Sequence, residues 1–173
     1  MELVLVESPF MFRCEDKALR RIGVLRNMAY ARCALHDCFS RGEAPYASHL
    51  LYTQPSVLED DVPEERMLGI EAGLQWGAKA AKTVLYVDLG VSSGMAHGIA
   101  SSGKAGRPCE TRHLPGWSRA LGETPRETLT RLGFYTNGQI DRIEAGLDTM
   151  FTGELQATAD EAPEASGGVV FRR

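Results

Sequence analysis

Thr83-Val84-Leu85-Tyr86-Val87 is a continuous apolar run, rich in β-branched and aromatic residues, that ends in Asp88 and the small-residue stretch Gly90-Val91-Ser92-Ser93-Gly94-Met95. A strand without polar alternation is buried on both faces, which predicts a parallel sheet. The stretch after it is expected to open a helix. In an open α/β sheet, ligands bind where the carboxyl ends of strands meet the loops that follow, and a Ser-Ser-Gly turn there offers backbone N–H groups and hydroxyls. Asp88 to Met95 is therefore expected to form one wall of a site.

Other runs complete the pattern. Leu3-Val4-Leu5-Val6 reads as a first strand that stops at Glu7-Ser8-Pro9-Phe10, where the proline excludes further pairing. Ala44-Pro45-Tyr46-Ala47 is a weak strand whose proline suits its start or an edge position, and Arg107 to Arg112 reads as the last strand. From Asp16 to Ser40 the apolar positions Ile22, Leu25, Ala29 and Cys33 recur at helical spacing, with Gly42 as the stop. Further helices are predicted from Pro63 and around Met95 to Gly103. Strands and helices alternate as in a doubly wound α/β fold of about four parallel strands. The switch point between the first and third strands then brings Glu7 and Ser8 beside Asp88 to Gly94.

Polar positions refine this. Lys17, Arg20, Arg21, Arg26 and Arg32 lie opposite the apolar stripe of the first helix and read as a solvated face. Asn27 and Tyr30, one turn apart, either face a ligand or pack. Acids from Glu59 to Glu65 surround Pro63 at a helix start, where they complement the positive dipole end. That helix places Met67, Ile70, Leu74, Ala78 and Ala81 on one stripe and Gly69, Gly73 and Gly77 four residues apart. Each glycine costs about 1 kcal/mol relative to alanine in a helix, so a strand, a partner helix or a ligand must approach closely.

After Pro115-Gly116-Trp117, capping signatures at Thr124 and Thr136 open two short helices, with Leu129, Leu132, Ile140, Ile143, Leu147 and Met150 as apolar positions. Four arginines against five acids between Pro115 and Gly153 give no basic footprint, which argues against a helix-turn-helix. Residues 1–114 are read as the α/β domain and 115–153 as a helical appendage on the sheet or at a dimer contact. By composition, 154–173 is expected to be a disordered tail.

A net charge of −4 in 173 residues gives no general attraction to nucleic acid or to an anionic membrane, and no run approaches the length of a membrane span. Cys14, Cys33, Cys38 and Cys109 have neither CxxC nor metal-ligand spacing, and Met-Glu-Leu-Val-Leu-Val is too short for a signal peptide. A reducing, cytoplasmic location with buried free thiols is expected. The chain lacks a P-loop, a G-x-G-x-x-G and a clustered metal set, so no cofactor is expected.

Val6-Glu7-Ser8-Pro9, Gly42-Glu43-Ala44-Pro45 with Ser48-His49-Leu50, Pro63-Glu64-Glu65-Arg66 with Gly69 and Gly73, and Ser93-Gly94-Met95 with Gly106-Arg107-Pro108 together carry a resemblance. From Leu3 to about Leu114 the chain resembles the nucleoside 2-deoxyribosyltransferase-like family, and more closely a bacterial and phage branch of it. The resemblance implies a flavodoxin-like sheet, a nucleoside or nucleotide pocket, and a homo-oligomer whose subunits complete one another's sites. In the transferases the loop after the third strand reads Asp-x-Gly-Thr, and four residues after that glycine comes the attacking glutamate. Here Ser92 stands at the aspartate, as is compatible with nucleotide-hydrolysing relatives, and Gly98 stands at the glutamate.

Cleaving an N-glycosidic bond needs a carboxylate at the anomeric carbon, to attack it or to orient water. Glu7 is the first candidate for a relocated carboxylate, because relatives commonly have a small residue at its position; Asp88 and Glu64 follow. Ser8, Pro9, His49, Ser92, Ser93, Gly94 and Met95 are the candidate substrate-binding residues. His97 adjoins the vacated position but need not share its direction, since neighbouring helical side chains diverge by about 100°. The expected activity is hydrolysis or deoxyribosyl transfer at the bond between base and sugar. The alternative is a silent nucleotide-binding protein acting as a sensor, a sequestering factor or an assembly subunit. A structural module without a ligand is the third reading, to be favoured if Glu7 and Asp88 are tied up in buried ion pairs.

Overall fold

The computed structural model describes residues 1–148. Four parallel strands, β1 (Glu2–Glu7), β2 (Glu43–Tyr46), β3 (Lys82–Tyr86) and β4 (Cys109–Arg112), lie in the order β2-β1-β3-β4. This is the doubly wound, flavodoxin-like arrangement, with the chain reversing its direction of growth between β1 and β3. Pairing of Val6 with Val84 and of Glu7 with Leu85 sets the carboxyl end of β1 beside that of β3.

The period-2 alternation of the strands divides the sheet. Val4, Val6, Val84 and Tyr86 face α1 (Lys17–Ser40) and belong to the main core. Leu5 and Glu7 face the other side, towards α3 (Pro63–Gly77) and α4 (Ser93–Lys104). A short α2 (Ser48–Leu51) follows β2. On the α1 side, Arg112 grips Glu43 with two hydrogen bonds of 2.7 Å and also bonds Glu110. The Arg112 bonds hold the Glu43 carboxyl down to about 2, the Lys82 contact adding to them.

The first helix begins and ends where its sequence directs. The Asp16 side chain accepts from the Ala18 and Leu19 N–H groups, and Gly42 takes a φ of +75° just past the end, in the left-handed region open to glycine. Its cationic face is solvated as expected at Lys17 and Arg32, but not at Arg21 and Arg26. The chain after β4 returns over it, so that Arg26 is buried against the Ala120 carbonyl and the Phe12 ring, while Arg21 donates to the Ile143 and Glu144 carbonyls. Asn27 and Tyr30 also pack: the Asn27 amide donates to the Phe10 carbonyl at 2.9 Å.

The appendage consists of α5 (Pro125–Arg131) and α6 (Asn137–Glu144), each opened by the expected threonine capping box. Both pack on α1. Trp117, Leu129, Ile140 and Ile143 share one hydrophobic cluster with Val4, Val6 and Tyr30, so the core does not divide at residue 114. The Trp117 ring packs at a tilt against Tyr30 and Phe134, with centroids 4.8 Å and 5.7 Å away. Met150 and the tail from 154 lie outside the described residues. Trp117→Ala should cost about 3–5 kcal/mol and shift a single unfolding transition followed by circular dichroism. A local loss of the α5–α6 signal with the sheet's stability unchanged would mean an independent appendage.

Candidate functional site

A cleft of about 350 Å³ opens at the carboxyl ends of β1 and β3, a size within the range of small-molecule sites. Five segments build it: the end of β1 with the loop after it, α2, the stretch between α2 and α3 with Tyr52, Leu58 and Asp60, the inner face of α3, and the first turns of α4. The spacing on α3 shows how. Glu65, Arg66, Gly69, Ile70, Gly73 and Leu74 fall on one helical face and line the cleft. The apolar stripe is thus rotated from expectation, and Met67 is exposed. The glycines answer neighbours within the chain. A Cβ on Gly73 would lie 2.8 Å from the Ser48 hydroxyl, and one on Gly77 would lie 3.0 Å from Leu5.

Glu7 projects from the end of β1 into this cleft, and its carboxyl lies against Gly98 of α4. A Cβ built on Gly98 would overlap that carboxyl. Among the described residues, the Glu7 carboxyl has no hydrogen-bond partner and no ion pair within 4 Å. Burial pushes its pKa up from 4.5 to about 7, with the Arg107 guanidinium offsetting part of the rise. Arg107 is itself fixed by the Thr83 hydroxyl at 2.9 Å, the Gly77 carbonyl at 2.8 Å and the Ser102 hydroxyl at 3.0 Å.

Ser8 and His49 meet within the cleft, Ser8 Oγ lying 2.9 Å from His49 Nε2. Burial pushes the imidazole down to about 4, which leaves it neutral near pH 7 and suited to orienting the serine hydroxyl. Ser92, Ser93, Gly94 and Met95 form the wall at the start of α4, as expected. Ser92 Oγ accepts the Met95 N–H at 3.3 Å, so this hydroxyl is already engaged as a helix cap.

Three expected site residues lie elsewhere. Asp88 is buried outside the cleft, where its carboxylate accepts the Tyr30 hydroxyl at 2.7 Å and the Leu114 N–H at 2.9 Å and contacts His113 Nδ1 at 3.0 Å. Its own N–H donates to the Tyr30 oxygen, so Asp88 ties β3 to α1 and to the end of β4. Glu64 is exposed on the outer side of α3, one residue and about 100° from the cleft-facing Glu65. Pro9 is buried and does not line the cleft. His97 is exposed and also lies outside it.

Sequence reasoning missed Arg13, Arg66 and Glu65 on the cleft wall and Arg107 behind it. Arg66 donates to both oxygens of Asp60, and Glu65 accepts the Glu59 N–H at 2.7 Å. The signal was available for two of them: Glu65 and Arg66 share the helical face of Gly69 and Gly73. Among the described residues no group of three His, Cys, Asp or Glu is placed to hold a metal ion, and no helix is long and apolar enough to cross a membrane.

The raised Glu7 pKa means that the folded chain holds this proton more tightly than the unfolded one. Stability should therefore fall as the pH rises from about 4.5 to 7, by on the order of 3 kcal/mol. Glu7→Gln should be more stable than the wild type in urea unfolding at pH 8 and similar to it at pH 4. A difference independent of pH would contradict the burial of an ionisable Glu7.

Residues 2–112 match the model of a family described as a domain of unknown function, DUF7768. The matched span holds all four strands and every cleft residue named above, and it ends before Trp117, α5 and α6. No curated protein and no solved structure matches the chain.

Proposed function

We propose that this chain, which belongs to the DUF7768 family, cleaves the N-glycosidic bond of a nucleoside or nucleotide, by hydrolysis or base exchange, with the Glu7 carboxylate at the anomeric carbon. One observation supports this above the rest: the Glu7 carboxyl fills the space over Gly98, the position at which the resembling transferases have their glutamate. The carboxylate is supplied from the neighbouring strand, and the missing side chain at Gly98 makes room for it.

The chemistry follows from that placement. As the C1′–N bond breaks, its electron pair leaves with the base, and positive charge develops on the sugar carbon and ring oxygen. Ionised Glu7 stabilises that charge. In hydrolysis it also takes a proton from the water whose oxygen bonds to C1′; in base exchange it bonds to C1′ itself until a second base displaces it. A half-buried carboxylate without an ion-pair partner is well suited to both roles, because little competes with the substrate for it. The Ser8–His49 pair supplies a held hydroxyl for a sugar oxygen, and the first turn of α4 supplies N–H groups for an anionic substituent.

Base release from nucleosides and 5′-monophosphates, followed by chromatography, should be lost at least 1,000-fold in Glu7→Ala, roughly 4 kcal/mol of transition-state stabilisation. The double variant Glu7→Ala with Gly98→Glu, which returns the carboxylate to α4, should recover part of the activity. In the wild type, kcat/KM should rise with pH through about 7, since the working form is the ionised one. Unaltered turnover in Glu7→Ala would refute the assignment. Ligand-dependent thermal stabilisation with no base released from any compound would instead favour a binding protein.

A further inference from the structure

The Glu7 cleft does not end at its mouth. Beyond it lies a second hollow of about 650 Å³, walled by Phe12, Cys14, Arg20 and Pro63 and by the acids Glu15 and Asp61. Met11, Arg13, Asp60 and Arg66 line both spaces, so the two adjoin along a common wall that carries two guanidinium groups and the Asp60 carboxylate paired with one of them. Each volume lies within the range for one small-molecule site.

We propose that the substrate is a pyrophosphate-linked dinucleotide. Its scissile nucleoside sits in the Glu7 cleft, its pyrophosphate at Arg13 and Arg66, and its second nucleoside in the outer hollow. This inference rests on the reading of the inner cleft as a nucleoside site.

The two arginines are placed for a bridging anion. Arg66 holds Asp60 through Nη1 alone, and its Nη2 lies 3.8 Å from where a Gly94 side chain would begin, at the opening turn of α4. Arg13 is exposed and, among the described residues, has no ion pair and no hydrogen bond. Two planar guanidinium forks at the junction suit the two phosphoryl groups of a pyrophosphate. The outer hollow then separates a dinucleotide from a nucleoside triphosphate. Arg20 is occupied by the Cys14 carbonyl, and the remaining charged groups, Glu15 and Asp61, are acids. Those acids repel a third phosphate but accept hydrogen bonds from ribose hydroxyls or from an exocyclic amine.

Calorimetry on the full chain would compare matched pairs: adenosine 5′-monophosphate with diadenosine pyrophosphate, nicotinamide mononucleotide with its adenine dinucleotide, and thymidine 5′-monophosphate with dithymidine pyrophosphate. Adenosine triphosphate serves as the charge control. At least one dinucleotide should bind tenfold or more tightly than its mononucleotide. Arg13→Ala should weaken the dinucleotide by a larger factor than the mononucleotide. Cys14, in the outer hollow, should be protected from alkylation by the dinucleotide and not by the mononucleotide, as read by peptide mass spectrometry.

No dinucleotide preference in any pair, an equal gain from the triphosphate, or the same Cys14 protection by both ligands would overturn the inference. Glu7-dependent base release without a dinucleotide preference would sink it and leave the glycosidic activity standing. A dinucleotide preference without base release would do the reverse. If none of the compounds binds, both fail.

Discussion

A side chain at position 98 and the Glu7 carboxyl cannot occupy the same space, and the rest of the cleft depends on that exclusion. Gly98 is buried in α4, directly opposite the end of β1, and a Cβ there would overlap the carboxyl. Because β1 is fixed by pairing on both sides, a side chain there would turn the flexible end of Glu7 aside. Glycine at 98 therefore leaves the Glu7 carboxyl its place against α4. Burial then raises the carboxyl's pKa, and Arg107 behind it limits the rise. A half-buried acid without an ion-pair partner reduces the stability of the folded state once it is ionised.

The residues around the cleft hold it open. Asp88, at the end of the central strand, is saturated by Tyr30, His113 and the Leu114 N–H, so it fixes β3, α1 and β4 relative to one another. Tyr30 in turn packs at a tilt against Trp117, and through that contact the chain after β4 supports the wall from behind. Two acids at neighbouring strand ends thus serve opposite purposes. Asp88 has its oxygens satisfied by the protein, whereas Glu7 has its oxygens directed at the cleft. Buried ion pairs at both acids would have favoured a module without a ligand; Asp88 is tied up by the protein and Glu7 is not.

Much of the fold was legible from short-range patterns. The unbroken apolar run at Thr83 to Val87 implied a parallel sheet, Asp16 and Gly42 bounded α1, and Thr124 and Thr136 marked the last two helices. The cleft was legible where backbone topology alone placed it, at Glu7, Ser8 and Ser92 to Met95. It was not legible where side-chain direction decided. Glu64 and Glu65 differ by one residue, yet only Glu65 faces inward. Glu7 ends β1 and Asp88 lies two residues past β3, yet hydrogen bonds from α1 and from the chain just after β4, distant in sequence, withdraw Asp88. Arg21 and Arg26 of α1 were misplaced for a similar reason, since nothing in the local period indicates that a later segment will cover them.

The most direct measurement is a ¹³C NMR titration of the Glu7 carboxyl in the chain without ligand, assigned by loss of its signal in Glu7→Gln. A buried carboxyl aimed into the cleft over Gly98 should titrate near 7, well above the usual 4.5, and its signal should respond to an added nucleotide. Titration near 4.5 with no response to any nucleotide would mean a solvated surface acid and would contradict the account of this cleft.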